Sequence, residues 1–167
     1  MIFSLFKKIF FINLIIISLI FFLDRVSKYW IIKIANENLK SDLYQSKFLN
    51  INLIWNEGIA FGLFSFDKDY FYDLLSGLIF IIVIIIFFMT FKSKGYKRYA
   101  FLMILGGAIG NLYDRIFFRS VPDFIDFHIG DFHWFIFNVS DIFISIGVLF
   151  MIFLELKYNN KNIDEKN

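Results

Sequence analysis

Four stretches of the chain are nearly unbroken runs of apolar residues, with charges gathered between them. They cover residues 9–23, 74–91, 99–113 and 134–156. A helix needs about 20 consecutive apolar residues to cross the hydrocarbon of a bilayer. The second and fourth runs meet that standard alone. The first and third are shorter between their charges and make sense as members of one bundle. The pattern predicts an all-α membrane protein: a four-helix transmembrane bundle forming a single domain over residues 1–167.

Basic residues set the expected orientation, because cytoplasmic flanks are enriched in Lys and Arg. Lys7 and Lys8 precede the first run, Lys92, Lys94, Lys97 and Arg98 fill the short link after the second, and Lys157 and Lys161 follow the fourth. Alternating spans put all three clusters on one side. Both termini are therefore expected in the cytoplasm, with outer loops at 24–73 and 114–133 and a disordered tail at 157–167. The first run resembles a leader, but Leu23-Asp24-Arg25 follows it where a small-residue cleavage site should stand, so it is read as an uncleaved span. Within the long outer loop, Phe48–Trp55 alternates in part and predicts a strand, giving a small extracytoplasmic β-containing region. Residues Trp30–Ala35 read as a short amphipathic helix at the interface.

Composition narrows the class. Hydrophobic residues make up 59% of the 167, against roughly half in soluble domains. A chain of this size has too little interior to hide that surface from water. The formal net charge of +2 gives no basic stripe for nucleic acid. The absence of cysteine removes disulfides and thiol nucleophiles.

Charged side chains at membrane depth cost about 2.5–3.5 kcal/mol each on insertion scales, so the polar residues inside the runs are candidates for function. The first cluster is Gly106-Gly107-Ala108-Ile109-Gly110-Asn111-Leu112-Tyr113-Asp114-Arg115. Its glycines permit close helix approach. Asn111, Asp114 and Arg115 share one helical face and read as a supporting polar clasp, in which Asp114 pairs with Arg115 or with a neighbouring span. The second cluster joins Val121-Pro122-Asp123-Phe124 to Phe137-Asn138-Val139-Ser140-Asp141, with Asn138 on the face of Asp141. Spacing leaves two readings of Asp141 open, a catalytic group or one half of a buried ion pair with Arg115.

Two carboxylates about 3 Å apart cannot both ionise and so share one proton. The ionised member takes a proton from water while the protonated member donates to a scissile carbonyl oxygen. Other hydrolytic chemistries lack their residues: neither a Gly-x-Ser-x-Gly elbow nor a His-Glu-x-x-His pair is present. Asp126, His128, Asp131 and His133 are of metal-ligand types, but their spacing matches no established motif. They read as interfacial polar residues, and neither metal nor cofactor is expected.

Five segments together resemble the successive motifs of bacterial lipoprotein signal peptidases (signal peptidase II). They are LDRVSK (Leu23–Lys28), NEGIAFG (Asn56–Gly62), GGAIGNLYDR (Gly106–Arg115), VPDFIDF (Val121–Phe127) and FNVSD (Phe137–Asp141), in the family's order across nearly the whole chain. The resemblance implies a catalytic pair of Asp123 and Asp141, supported by Asp24, Lys28, Asn56, Gly58, Asn111, Asp114, Arg115 and Asn138. Spacing alone does not rank Asp123 above Asp114 or Asp126; the resemblance does. It also implies an aspartic endopeptidase of the bacterial inner membrane, active near the outer leaflet, that cuts diacylglyceryl-modified prolipoproteins before the lipidated cysteine. The loop around Asn56 and Gly58 is expected to cradle or cover the site. Implied partners are lipid-modified prolipoprotein substrates, membrane lipids and globomycin-type inhibitors, with a monomeric chain and no nucleic acid. The chain departs from the family pattern at Arg25 (usually Gln), Pro122 (usually aliphatic) and Ser140 (commonly Ala). Arg25 is expected to meet lipid headgroups, and the Ser140 hydroxyl to hydrogen-bond Asp141. The alternative reading is a small proton-coupled transporter using its intramembrane acids.

Overall fold

The computed structural model describes residues 2–58 and 69–164. In chain order the elements are α1 (Ile2–Asn38), β1 (Asp42–Gln45), β2 (Leu49–Asn56), α2 (Asp69–Lys92), α3 (Gly95–Phe118), β3 (Val121–Ile129), β4 (Phe132–Phe137) and α4 (Val139–Asp164). Each helix contains a segment long and apolar enough to cross a membrane, at Lys7–Asn38, Tyr72–Lys92, Gly95–Phe118 and Val139–Tyr158. The strands form one antiparallel sheet in the order β1-β2-β3-β4.

Polarity is inverted relative to a soluble protein. Asp24, Lys28, Asp114, Asn138 and Ser140 are buried, whereas Leu78, Ile81, Ile85 and Phe88 of α2 and Leu149 and Phe153 of α4 are exposed. Charged side chains seldom lie fully buried unless they are paired. A polar interior wrapped in exposed apolar side chains suits a lipid solvent. The apolar core is small, built on Val83, Leu105 and Leu112 with Ile17 and Ile79 against them.

Helix α3 is the central helix, packed on α1, α2 and α4. Its glycines make the closest approach possible. A Cβ at Gly107 would overlap the backbone carbonyl of Ser140, and one at Gly110 would overlap the Ser140 hydroxyl and lie 2.9 Å from an Asp24 carboxylate oxygen. Small residues of this kind let membrane helices meet backbone to backbone.

Several boundaries differ from the sequence pattern, each for a physical reason. Helix α1 runs unbroken through Asp24 to Asn38 and absorbs Trp30–Ala35, which is no separate interfacial helix. Asp24 and Lys28 stand one turn apart and pair at 2.9 Å, so the charges need not leave the helix to find partners. The fourth apolar run is divided: Phe132–Phe137 is strand, and helix begins only after Asn138. Apolarity alone does not separate a buried strand from a buried helix. The tail expected to be disordered is helical through Asp164.

Candidate active site

Strand β3 and the first turn of α4 deliver the two aspartates to one place. Pairing of Ile54 with Asp123 and of Asn56 with Val121 sets Asp123 against β2. The turn after β4 then starts α4 at Asn138. There the Asn138 side-chain oxygen accepts from the Asp141 backbone N–H at 3.1 Å, and the Asp141 carboxylate accepts from the Asn138 N–H at 3.1 Å. This reciprocal arrangement is a capping box and satisfies two of the amide groups a helix start leaves open. A third, the Ser140 N–H, donates to Asp24 at 3.0 Å.

All four carboxylate oxygens of the pair have a nitrogen donor. Asp123 accepts from the Asn138 side-chain amide at 2.6 Å and from the Asn56 amide at 2.8 Å. Asp141 accepts from the Asn111 amide at 2.8 Å and from the Asn138 backbone. A carboxylate oxygen has two lone pairs, so one on each remains for water or a proton. Asp123 and Asp141 both line a cavity of about 40 Å³ together with Asn56, Asn111, Arg115 and Asn138, enough for a water molecule. Burial, followed by the negative charge of Asp141, pushes the Asp123 pKa up to about 6, against the opposing pull of the Asn56 and Asn138 amides.

Around this pair lies a buried ionic cluster. Lys28 bonds Asp114 at 2.6 Å, Asp24 at 2.9 Å and the Asn111 side-chain oxygen at 3.0 Å. Arg25 pairs with both Asp24 and Asp114 and lies 4.8 Å from the Tyr113 ring centroid. Two cations thus face two carboxylates, and Lys28 fixes the oxygen of Asn111 so that its amide points at Asp141. Gly58 donates its N–H to the Asn56 side chain at 2.9 Å, and the Gly58 carbonyl accepts from the Arg115 guanidinium at 2.6 Å. Arg115 therefore fixes the loop that fixes Asn56.

The candidate residues Asp24, Lys28, Asn56, Gly58, Asn111, Asp114, Arg115, Asp123, Asn138 and Asp141 thus form one connected constellation. Of the two partners open to Asp114 it takes the neighbouring span, pairing with Arg25 and Lys28 of α1. Arg115 binds the Gly58 carbonyl and makes no ion pair with Asp114 or Asp141 among the described residues. Two details correct the sequence reading. Arg25 turns inward to the ion cluster rather than outward to headgroups. The Ser140 hydroxyl is enclosed without a hydrogen-bond partner among the described residues, instead of bonding Asp141. Ile59–Gly62 of the NEGIAFG segment lie outside the described residues. Arg25 was missed as a structural partner; its adjacency to Asp24 at the polar end of the first apolar run was the available signal.

Comparison with known proteins places the chain in one family. The family model for signal peptidase (SPase) II matches residues 16–157. A lipoprotein signal peptidase of Pelagibacter ubique (strain HTCC1062) is 52% identical over 160 residues, covering 96% of this chain and 96% of that protein. A lipoprotein signal peptidase of Anaplasma phagocytophilum (strain HZ) is 37% identical over 149 residues, covering 87% and 92%. A bacterial membrane enzyme solved in meso at 1.9 Å superposes with a TM-score of 0.70 at 30% identity, covering 87% of this chain and 92% of the other. The chain belongs to the signal peptidase II family and is a multi-pass membrane peptidase. None of these relatives supports the transporter reading.

Proposed function

We propose that this member of the signal peptidase II family is an aspartic endopeptidase that removes the signal peptide from diacylglyceryl-modified prolipoproteins, cutting just before the lipidated cysteine. Asp123 and Asp141 are its catalytic pair. The observation that carries this assignment is the set of amide donors that grips both carboxylates around one water-sized cavity.

In the reaction the pair shares one proton. The ionised carboxylate takes a proton from the enclosed water, which attacks the scissile carbonyl carbon. The protonated carboxyl donates to the carbonyl oxygen as negative charge develops there. Collapse of the tetrahedral intermediate breaks the C–N bond: the proton taken from water passes to the departing amine, and a hydroxyl proton of the intermediate returns to the carboxylate that had donated, restoring the singly protonated pair. The two acids titrate as a unit. The elevated Asp123 pKa of about 6 helps the pair keep its proton at mildly acidic pH, and exclusion of water by substrate extends that range upward. The asparagines are positioning residues that hold the carboxylates fixed, so little reorganisation is needed as charge moves.

An apolar groove of about 950 Å³ begins at Asp141 and continues between the β3–β4 strands and α4, lined by Phe127, Trp134, Phe137, Ile144 and Leu149 among others. Its size and lining suit acyl chains, and it shares Asp141 with the polar cavity. A lipid held there would deliver the adjoining peptide bond to the pair, replacing much of the orientational entropy loss of a free encounter. The same groove is the place for a lipopeptide inhibitor of the globomycin type. We place the enzyme in the bacterial inner membrane as a monomer with both termini cytoplasmic and the pair near the outer leaflet. The basic clusters at the α1 start, the α2–α3 link and the α4 end support that orientation.

The deciding experiment reconstitutes D123N and D141N separately in bilayers with a diacylglyceryl-modified precursor. Each variant should insert with unchanged helical content and lose cleavage by at least about a thousandfold. Cleavage near the parental rate by either one contradicts the assignment.

A further inference from the structure

We propose that Asp126, His128 and His133 form a binding site for a single divalent transition-metal ion, Zn²⁺ above all, clamping the β3–β4 hairpin. Register makes the site. His128 and His133 are direct cross-strand partners, and Asp126, two residues before His128 on β3, shares its face by strand alternation. One ligand atom from each of the three lies within 4.8 Å of the others. The imidazoles lie nearly parallel with centroids 5.0 Å apart. The His133 Nδ1 is 2.9–3.0 Å from the Asp126 carboxylate oxygens.

Tetrahedral zinc with bonds near 2.1 Å needs neighbouring donors about 3.4 Å apart. The Asp126–His133 pair must open by a few tenths of an ångström, and the His128 ring must swing inward. Two imidazoles and a carboxylate leave a fourth position for water, a donor set that suits zinc over magnesium or calcium. Two more observations point to a ligand. The His128 Nδ1 is enclosed and has no hydrogen-bond partner among the described residues, an arrangement that needs a reason in a folded protein. Asp126 is buried and steadied by the Asn50 amide at 3.3 Å, as an outer-shell partner steadies a ligating carboxylate.

The site is separate from the catalytic pair. Asp126 stands three residues along β3 from Asp123, and strand alternation turns the two side chains to opposite faces. The hairpin links the two sites. Its turn end carries the histidines, and its other end carries Asp123 and leads into Asn138. A metal bridging the strands would stiffen the frame on which both aspartates are presented.

The test uses the full chain in micelles, with any affinity tag removed, and titrates Zn²⁺ by calorimetry and Co²⁺ by visible absorption. One ion per chain is expected, with Co²⁺ bands of low-symmetry tetrahedral type and a higher Tm in zinc. H128A and H133Q should each weaken binding by about tenfold or more and remove the Tm gain. His133 has 53% of its side chain exposed, so H133Q should fold normally, which its metal-free Tm verifies. D123N and D141N should bind zinc like the parent. Absence of saturable binding overturns the proposal, as does binding unchanged in both histidine variants. Loss of binding in D123N or D141N also overturns it, by moving the ion to the catalytic pair.

Discussion

Asp123 shows how one residue's surroundings set its chemistry. Burial is the larger influence on its acidity and the Asp141 charge the second, together moving it from an ordinary 3.8 to about 6. D141N removes the charge and keeps the burial. The Asp123 titration should therefore move below 6 without reaching 3.8, measured by carbon NMR of labelled aspartate carboxyls. A value that stays near 6 would mean the two acids do not sense each other. Between pH 3.8 and about 6 the native state holds a proton on Asp123 that the unfolded chain has released. This group's contribution to stability is present in full below 3.8 and fades as pH rises through 6. The protein gives up folding stability at neutral pH to keep an acid available.

Among the elements, the contact of α3 with α4 is the most demanding, because Gly107 and Gly110 face Ser140 with no room for a methyl group. Ser140 places a hydroxyl there with no hydrogen-bond partner among the described residues. Removing a buried unsatisfied polar atom is neutral or favourable. S140A should raise stability by up to about 1 kcal/mol, read as Tm in micelles, with cleavage unchanged. A fall in Tm would show that the hydroxyl has a partner.

The order and number of long helices were legible because apolar runs report burial in lipid directly, and the glycines of α3 announced a tight contact. Helix ends were not, because charges that pair internally, such as Asp24 with Lys28, no longer mark a boundary. Nor was the division of the Trp134–Leu156 run, where the strand Phe132–Phe137 is as apolar as the helix after it. Ion partners were the hardest to read. Asp114 chose Arg25 and Lys28, 89 and 86 positions away, over the adjacent Arg115, a choice fixed by helix packing and invisible to spacing.

For the whole molecule, the quartet of buried Lys28, Asp24 and Asp114 with half-buried Arg25 is balanced in charge and couples α1 to α3. Removing one partner of a buried pair strands the other. K28M, similar in length, should destabilise by about 3–5 kcal/mol, measured by unfolding in mixed micelles. It should also raise the Asp123 pKa above 6, because the Lys28 charge lowers it in the parent. Unaltered stability would mean the quartet is not a structural unit.

Helix α1 spans 37 residues, a rod of about 55 Å, whereas bilayer hydrocarbon is about 30 Å thick. So much excess length must tilt or stand proud of the lipid. Tyr29 and Trp30 lie exposed in its C-terminal third, and aromatic rings favour headgroups. The rod is tied to the quartet, so acyl-chain length should tune turnover. Rates measured across vesicles of graded thickness should peak at one value and decline on either side, and a flat profile would detach the rod from the chemistry. On this view the host's choice of lipids is a control on how fast its lipoproteins mature.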